Sequence, residues 1–376
     1  MPESNSSIVW GVDSGSYCMS GGMVRALDGL LDISGLKDLF KPGDYVGVKI
    51  NIGELGNIRY LRPVMVRAIV EKITELKGIP VIMDTVGMIG NTLRGPSDWF
   101  YTTSVNGYPG ALLGKDILPA DGYTGAEDEL LPIDGDELGG IEVARGVVEV
   151  AAMVVVSHVT GHPFFGLNGA LFNKGVGCSS QKGKWRIFDP LKPVVDTARC
   201  TNCEDCVALC PTQAITANNG VVKVDHGRCK GCNHYCLGFC AQGALKVNKE
   251  SYPRFQKRVV EAATAVNVAT MGKLFYLNFL LDVGKYPDYY TVNDQSITPD
   301  LGILASRDPV AIDQASLDLI NKAPGLVFQK SQGYSTLAPD SLKFEEIHGV
   351  DTSYPLQYAE DFGLGLRKYH LEMIGG

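Results

Sequence analysis

The sequence predicts an α/β protein with a mostly parallel sheet that is interrupted by a small cysteine-rich insert. Three observations support this prediction. Short apolar runs at 45–50 and 79–83 flank an amphipathic stretch at 63–77, which is the pattern of a parallel βαβ unit. Eight of the ten cysteines fall between residues 200 and 240. The pattern of strands and helices resumes after residue 250, so the cysteine segment lies inside the α/β chain.

Each element is predicted from its own pattern. Apolar runs predict strands at 8–12, 45–50, 79–83, 153–157, 274–279 and 301–305. Helical periodicity predicts helices at 23–40, 63–77, 258–269, 309–320 and, in the tail, at about 359–373. Pro63 suits a first helical turn and Gly78 a helix end. Residues 85–145 are rich in Gly, Tyr and Asp and predict long loops with a few short elements.

Prolines at positions 190, 193 and 253 mark the borders of the insert. We predict four segments from these borders. They are a first part of the α/β domain at 1–195, the insert at 196–250, a second part of the α/β domain at 251–345 and a largely helical tail at 346–376.

The composition limits the possible partners. The 376 residues carry a formal net charge of −8, which argues against nucleic acid because a polyanion requires a basic surface. The first residues lack a basic segment followed by an apolar one, and no apolar stretch is long enough to cross a bilayer. We therefore predict a cytoplasmic protein without a membrane partner, in an anaerobe or a reducing cytosol.

The cysteines of the insert form two runs of four. The first run has the spacing C-x2-C-x2-C-x3-C-P of bacterial ferredoxins and comprises Cys200, Cys203, Cys206 and Cys210. The second run has the spacing x2, x3, x3 and comprises Cys229, Cys232, Cys236 and Cys240. The second run departs from the ferredoxin pattern by one extra residue before Cys236 and by Ala241 in place of a proline.

The spacing has a physical reason. A cubic 4Fe–4S cluster needs a thiolate at each of four iron corners, and three cysteines on one tight loop reach only three of them. In two-cluster ferredoxins the last cysteine of each run binds the other cluster. The sequence thus predicts a ferredoxin-like α+β insert with two 4Fe–4S clusters. Cluster one is held by Cys200, Cys203, Cys206 and Cys240, and cluster two by Cys229, Cys232, Cys236 and Cys210. A zinc site is a weaker alternative, because a zinc ion takes four ligands and the insert offers eight cysteines with ferredoxin spacing. Disulfides are also weaker, because they require an oxidising compartment and nothing in the sequence indicates export.

Candidate catalytic residues follow the predicted strands, where ligands of α/β sheets gather. The polar residues at strand ends are Asn51, Glu54, Asp84, Thr85, His158, His162, Asp282, Arg307 and Asp308. The stretch 157–186 also carries glycines and basic residues, among them Lys174, Lys182, Lys184 and Arg186. From these sets we predict that His158, His162, Lys174 and Asp308 bind substrate or move protons. The alternatives are helix caps, solvated lysines and a glycine-rich loop that packs against the insert.

Two cysteines lie outside the runs. They are Cys18 and Cys178. Cys178 is surrounded by glycines and lysines, which predicts a lowered thiol pKa. The alternative for both is a small buried apolar side chain. Phosphate-loop, nucleophile-elbow, zinc-protease and dinucleotide-binding motifs are absent from the sequence, so a nicotinamide site is not predicted.

The stretch 161–184, the two cysteine runs and the stretch 277–320 together resemble the iron–sulfur centre proteins of domain of unknown function 362. The resemblance implies an α/β domain with a two-cluster insert, and no settled reaction. Members often carry Lys where this chain has Phe172, and Lys174 lies two residues further on. The stretch 162–174 is also similar to a loop of lactate racemase-like proteins, which hold a nickel–pincer nucleotide, although the lysine is out of register.

Three functions remain open from the sequence. The one we favour is an oxidoreductase whose clusters pass single electrons to a small-molecule substrate or to an unidentified second cofactor at the α/β domain. The second is a ferredoxin-like electron carrier that serves a redox partner protein and has no substrate. The third is a non-redox isomerase or lyase with structural clusters.

Overall fold

The computed structural model of the chain describes residues 6–15, 22–88, 96–110, 114–330 and 333–374. Cys18, for which a small buried apolar side chain is the alternative, lies outside these residues. The described strands, in chain order, are β1 Ser7–Asp13, β2 Tyr45–Lys49, β3 Ile79–Asp84, β4 Ile117–Pro119, β5 Asp128–Pro132, β6 Gly140–Ala144, β7 Ala152–His158, β8 Thr160–His162, β9 Gly166–Asn168, β10 Val194–Val195, β11 Ile215–Asn218, β12 Val221–Val224, β13 Leu245–Lys246, β14 Leu274–Leu280, β15 Gly302–Ser306, β16 Val327–Lys330, β17 Gly333–Thr336 and β18 Tyr369–Met373.

The described α-helices are α1 Gly22–Ile33, α2 Pro63–Glu75, α3 Pro96–Val105, α4 Arg145–Val148, α5 Ala170–Gly175, α6 Gln181–Phe188, α7 Asp205–Leu209, α8 His234–Phe239, α9 Tyr252–Ala269, α10 Pro309–Lys322, α11 Lys343–His348 and α12 Ser353–Asp361. Short 3-10 helices cover Leu36–Asp38, Asp189–Leu191 and Lys249–Ser251. Among the described helices, none is both long and apolar enough to pass through a bilayer.

Eight of the described strands form one sheet in the order β18-β1-β15-β14-β7-β2-β3-β4. All neighbours are parallel except the two pairs that involve β15, which runs antiparallel to β1 and to β14. The fold is therefore α/β with a mostly parallel sheet, as the sequence predicts. Its central strands β7 and β14 are buried along their whole length, which explains their continuous apolar sequences.

Helices cover both faces of the sheet. Alternate residues of β7 point to opposite faces, so Met153 and Val155 join one apolar core while Val154 and Val156 join the other. Helices α1 and α2 complete the second core, and α5, α9 and α10 complete the first. This two-sided burial leaves the strand ends as the place where polar side chains meet a cavity.

The insert has an architecture of its own. The hairpin β11–β12 and helices α7 and α8 surround a small apolar core made of Ile215, Val222 and Leu245, and cysteines of both runs pack against that core. The strands β10 and β13 pair antiparallel and join the start of the insert to its end. These elements form a ferredoxin-like α+β unit within the α/β chain.

The predicted helix at about 359–373 is wrong over all but its first three residues. Helix α12 ends at Asp361, and β18 then pairs in parallel with β1 at the sheet edge. The alternation of Tyr369, Leu371 and Met373 with polar residues is the period of a strand, which a helical interpretation overlooked. The region predicted as long loops also holds α3 and the β5–β6 hairpin.

Candidate functional site

A cavity of about 110 Å³ opens at the carboxyl ends of three neighbouring parallel strands. Lys49, Asp84 and His158 are the last residues of β2, β3 and β7, and all three line the cavity. Asn51 and Thr85 follow β2 and β3 and line it as well. The convergence arises because parallel strands in adjacent positions end at the same edge of the sheet.

The floor of the cavity is a saturated hydrogen-bond network around Lys49. Its Nζ lies 2.8 Å from Asp84 Oδ1, 2.9 Å from Asn173 Oδ1 and 2.7 Å from the carbonyl of Ile50. The remaining oxygen of Asp84 accepts the backbone amide of Ile52 at 3.0 Å. An ammonium group has three donors, and all three are used here. The buried Lys49–Asp84 pair therefore fixes the geometry of the cavity floor. Lys49 has no donor left for a bound molecule.

Lys184, on α6, is the second buried lysine of the cavity wall. Its Nζ donates to Thr85 Oγ1 at 2.6 Å and to the carbonyl of Val86 at 2.5 Å, and neither acceptor is charged. Burial lowers the pKa of Lys184, and the carboxylate of Asp121 offsets part of this effect. Burial also raises the pKa of Asp121 to about 6. Lys184 thus holds its proton less tightly than an exposed lysine does.

His158 lies in the wall with both ring nitrogens directed at protein atoms. Nε2 lies 2.8 Å from the carbonyl of Leu281, and Nδ1 lies 3.6 Å from Asp288 Oδ2. Burial lowers the pKa of His158, but Asp288 outweighs it and the net shift is upward. Asp288 is held in place by Asn51, whose Nδ2 donates to Oδ1 at 2.6 Å. The histidine and the carboxylate therefore form a buried pair beside the cavity.

The insert closes the cavity from the opposite side. Gly231, Cys232 and Asn233 line it, so one cysteine of the second run is part of the cavity wall. The amide of Asn233 is 4% exposed, and neither its nitrogen nor its oxygen has a hydrogen-bond partner among the described residues. Aromatic rings complete the wall, namely Phe164, Phe172, Phe188, Tyr289 and Tyr290.

Two contacts hold the second run against the α/β body. The Nζ of Lys230 lies 4.7 Å from the centre of the Trp185 ring, a cation–π distance. A Cβ built on Gly231 would lie 2.5 Å from the carbonyl oxygen of Phe188, so the backbones meet too closely for any side chain there. His226 adds a hydrogen bond of 2.9 Å to the carbonyl of Pro193.

The cysteines of the insert form two groups of neighbouring sulfurs. A second cavity, of about 250 Å³, is lined by Cys200, Cys203, Cys206 and Cys240. Burial raises the pKa of Cys206, and the nearby sulfurs of Cys203, Cys240 and Cys200 raise it further. This grouping brings the last cysteine of the second run to the first three of the first run.

The complementary group forms around Cys236. Burial, together with the nearby sulfurs of Cys232, Cys229 and Cys210, raises its pKa to about 12. Burial likewise raises the pKa of Cys232 to about 11. Cys210 differs, because hydrogen bonds from Thr212 and from backbone amides outweigh burial and lower its pKa. Within the described ranges, no three His, Cys, Asp or Glu side chains converge closely enough to hold a single metal ion.

Of the four predicted catalytic residues, only His158 lines the cavity. His162 is fully buried, and its Nδ1 accepts the amides of Phe164 and Phe165 at 3.1 and 2.9 Å. Its ring lies 4.5 Å from that of Phe172, centre to centre, and burial lowers its pKa well below the usual value. His162 is therefore a neutral ring within an aromatic cluster.

Lys174 and Asp308 lie away from the cavity lining. Lys174 is fully buried and donates to Asn267 Oδ1 at 2.5 Å, and burial lowers its pKa to about 7. Asp308 caps α10, since its Oδ1 accepts the amides of Val310 and Ala311 at 2.8 and 3.0 Å. These contacts hold both side chains away from the cavity.

The expectation of a lowered pKa at Cys178 is wrong. The thiol is fully buried, and burial raises its pKa to about 11 despite the nearby charges of Lys49 and Lys174. Lys49 and Asn233 were missed as site residues. A charged residue within the apolar run 45–50 was the signal for Lys49, and the extra residue of the second run was the signal for Asn233.

Comparisons with known proteins agree with the sequence resemblance. Pyruvate synthase subunit PorD of Methanocaldococcus jannaschii is 35% identical over 82 residues, which are 21% of this chain and 91% of that protein. The subunit of the same name from Thermotoga maritima is 28% identical over 86 residues, or 23% of this chain and 83% of that protein. An uncharacterized ferredoxin of M. jannaschii is 36% identical over 74 residues, 19% of this chain and 50% of that protein.

Among solved structures, the lactate racemase apoprotein of Thermoanaerobacterium thermosaccharolyticum aligns with a TM-score of 0.38 and 14% identity. The alignment covers 74% of this chain and 51% of that chain, so this chain spans about half the length of the racemase. The profile of one protein family, Domain of unknown function (DUF362), matches residues 46–318, which is most of the chain. With the ferredoxin-type relatives and the two cysteine runs, this match shows that the chain is an iron–sulfur protein of the DUF362 family.

Proposed function

We propose that this chain is an oxidoreductase in which two 4Fe–4S clusters connect a redox partner protein to a substrate held in the strand-end cavity. One observation carries the proposal: Cys232 belongs to the second group of sulfurs and also lines the cavity. A cluster on that cysteine would lie against the substrate, within easy reach of electron transfer.

The sulfur groups fit cubic clusters better than zinc. A single zinc ion needs four ligands at about 2.3 Å, whereas the corner irons of a cube hold their thiolates further apart. The first group surrounds a space of about 250 Å³, and each group draws its fourth sulfur from the other run. The residues that would hold cluster one are Cys200, Cys203, Cys206 and Cys240, and those for cluster two are Cys229, Cys232, Cys236 and Cys210.

Electrons would enter where the first group meets solvent. Cys203 is exposed, while Cys232 is partly buried beside the cavity. When bound, the clusters supply single electrons at potentials set by their surroundings. The partner is thus a low-potential redox protein that docks near Cys203. Thiolates that bind clusters must stay reduced, which suits a reducing, cytoplasmic and anaerobic setting.

The residues of the cavity supply the remaining chemistry. Reduction of a two-electron acceptor consumes two electrons, delivered singly from the partner protein, and two protons. Lys184 is placed to give one proton, because burial lowers its pKa and its neutral acceptors leave its charge unpaired by direct contact. A second proton would come from solvent at the open side. The aromatic wall limits the water that reaches the substrate.

An oxidant assay tests this proposal. Anaerobic, dithionite-reduced protein would be mixed with quinones, α,β-unsaturated carboxylates and heteroaromatic N-oxides, and the return of cluster absorbance followed by stopped flow. We expect at least one class to reoxidise the protein, and the Val176→Trp variant, which fills the cavity, to slow that reaction at least about tenfold. Reoxidation by methyl viologen, which reacts at the exposed side, is the control and should not change.

Two outcomes would favour an electron carrier instead. One is reoxidation of wild type and Val176→Trp at equal rates by every compound. The other is reaction with methyl viologen alone. Iron content and the far-ultraviolet circular dichroism spectrum of the variant establish that it is folded and loaded before the rates are compared.

A further inference from the structure

We propose that Asn233 is a substrate-binding residue, and that the cavity selects a planar heteroaromatic molecule with a neighbouring ring N–H and C=O, that is, a lactam edge. This inference rests on the proposed function, because it deepens the account of the same cavity. Two polar side chains of the cavity, those of Asn233 and Tyr289, have atoms without a hydrogen-bond partner among the described residues.

Both amide atoms of Asn233 lack a hydrogen-bond partner among the described residues. The side chain is buried to 96%, lines the cavity, and has no partner for Nδ2 or for Oδ1 among the described residues. A buried amide without hydrogen bonds costs on the order of 1–3 kcal/mol, and an apolar side chain of similar size would avoid that cost. The donor and the acceptor are therefore available to a bound molecule that lies between the insert and the strand ends.

A second unused group faces the same space. The hydroxyl of Tyr289 is buried, lines the cavity and has no hydrogen-bond partner among the described residues. The Tyr289 and Phe172 rings are nearly parallel, with an interplanar angle of 9° and a centre-to-centre distance of 6.1 Å. A flat ligand can pack against these aromatic faces while its polar edge reaches the hydroxyl and the amide.

The chemistry of an amide defines the class of ligand. A carboxamide side chain presents one donor and one acceptor side by side, and it pairs best with a flat edge that presents the reverse order. A lactam edge does so without charge. Charge neutrality also fits the cavity floor, where Lys49 is already paired with Asp84 at 2.8 Å.

Position within the insert supports a role in recognition. Asn233 follows Cys232 directly and lies in the lengthened loop of the second run, between that cysteine and Cys236. A ligand bound to its amide would lie beside the sulfur that leads to cluster two. The corresponding residue of the first run, Glu204, is exposed and lies outside this cavity, so it provides a matched control.

Binding of a probe pair tests the inference. Lumazine carries lactam edges on a flat bicyclic ring, and 1,3-dimethyllumazine keeps the ring but has no ring N–H. Isothermal titration calorimetry on anaerobic holoprotein should show lumazine binding and much weaker binding of the dimethyl compound. Asn233→Ala should weaken lumazine binding by about ten- to a hundredfold, Tyr289→Phe by less, and Glu204→Ala should have no effect.

Three results would overturn the lactam assignment. They are equal affinity for the two compounds, unchanged affinity in Asn233→Ala with full iron content, and no lumazine binding by wild type at about 1 mM. The oxidant assay separates this inference from the proposed function. If lumazine binds but Val176→Trp does not slow reoxidation, the lactam assignment stands and the redox role is wrong. If lumazine does not bind but Val176→Trp slows reoxidation, the redox role stands and the lactam assignment is wrong.

Discussion

The two halves of the insert share a backbone but differ in their surroundings. The residue before the second cysteine has a positive φ in both halves, 56° at Asn202 and 70° at Gly231. The residue after that cysteine does too, with 63° at Glu204 and 35° at Asn233. The fourth cysteines also match, because Cys210 and Cys240 each accept a backbone amide four residues later at 3.2 Å. The backbone of the four-cysteine loop is thus built twice.

The differences are concentrated where the second half meets the α/β body. Asn202 and Glu204 are exposed, whereas Gly231 contacts the backbone of Phe188 and Asn233 is buried in the cavity. The extra residue of the second run falls in the same place. The departures from ferredoxin spacing therefore mark the surface where the second half contacts the α/β body.

The largest effect is expected from removing one cysteine from either half of the insert. In our proposal, Cys232→Ala and Cys203→Ala each lose one cluster, so bound iron should fall from about eight to about four per chain. The magnetic coupling between two reduced clusters should disappear in both. Iron analysis and electron paramagnetic resonance of dithionite-reduced samples measure this, with Cys178→Ala as the control that keeps all iron.

The matched cysteine variants should still differ in one property. Cys232→Ala removes a wall residue of the cavity, so we expect it alone to weaken lumazine binding, while Cys203→Ala leaves the affinity unchanged. If both variants bound lumazine equally, or if Cys232→Ala kept all of its iron, the assignment of cluster two to the cavity side would be wrong.

A smaller effect is expected at the residue before the second cysteine. Gly231→Ala adds a Cβ 2.5 Å from the carbonyl of Phe188 at a positive φ, which should cost about 2–4 kcal/mol. Asn202→Ala meets only the conformational penalty, about 1 kcal/mol. Melting temperatures of the anaerobic holoproteins measure the difference. Equal losses in the two variants would show that the second half is no more tightly docked than the first.

The smallest effect is expected at the residue after the first cysteine. Lys230→Met removes the cation above the Trp185 ring but keeps the length of the side chain, so we expect a loss of about 0.5–1 kcal/mol. Thr201→Met, at the corresponding exposed position, should leave the melting temperature unchanged. Tryptophan fluorescence of Trp185 should report the same contact, and a loss of stability in Thr201→Met alone would contradict the docking described here.

Much of the fold was predictable because its signals are local. Apolar runs and amphipathic stretches identified the central strands and helices, and cysteine spacing identified the insert. The last strand was missed because Tyr369–Met373 follows a helix closely and obtains its stability from pairing with β1, which lies at the other end of the chain. Its alternation of apolar and polar residues covers only five positions, which is too short a signal to outweigh the helical pattern before it.

The candidate site was predictable in location but only partly in its residues. The polar groups after β2, β3 and β7 indicated the edge of the sheet at which the cavity lies. Lys174 and Asp308 looked equally suitable in the sequence, but one is buried against Asn267 and the other caps a helix. Asn233 was not predicted because its burial in the cavity depends on docking of the insert, which no local pattern encodes.

The short pairing of β10 with β13 has a consequence for how the protein matures. Val194–Val195 and Leu245–Lys246 bring the two ends of the insert together. Within the α/β chain, the roughly 50 residues between these strands form a closed loop. Closing a loop of that length has an entropic cost on the order of a few kcal/mol. We therefore expect helices α6 and α9 to pack against each other in iron-free protein, so that cofactor insertion would follow assembly of the sheet.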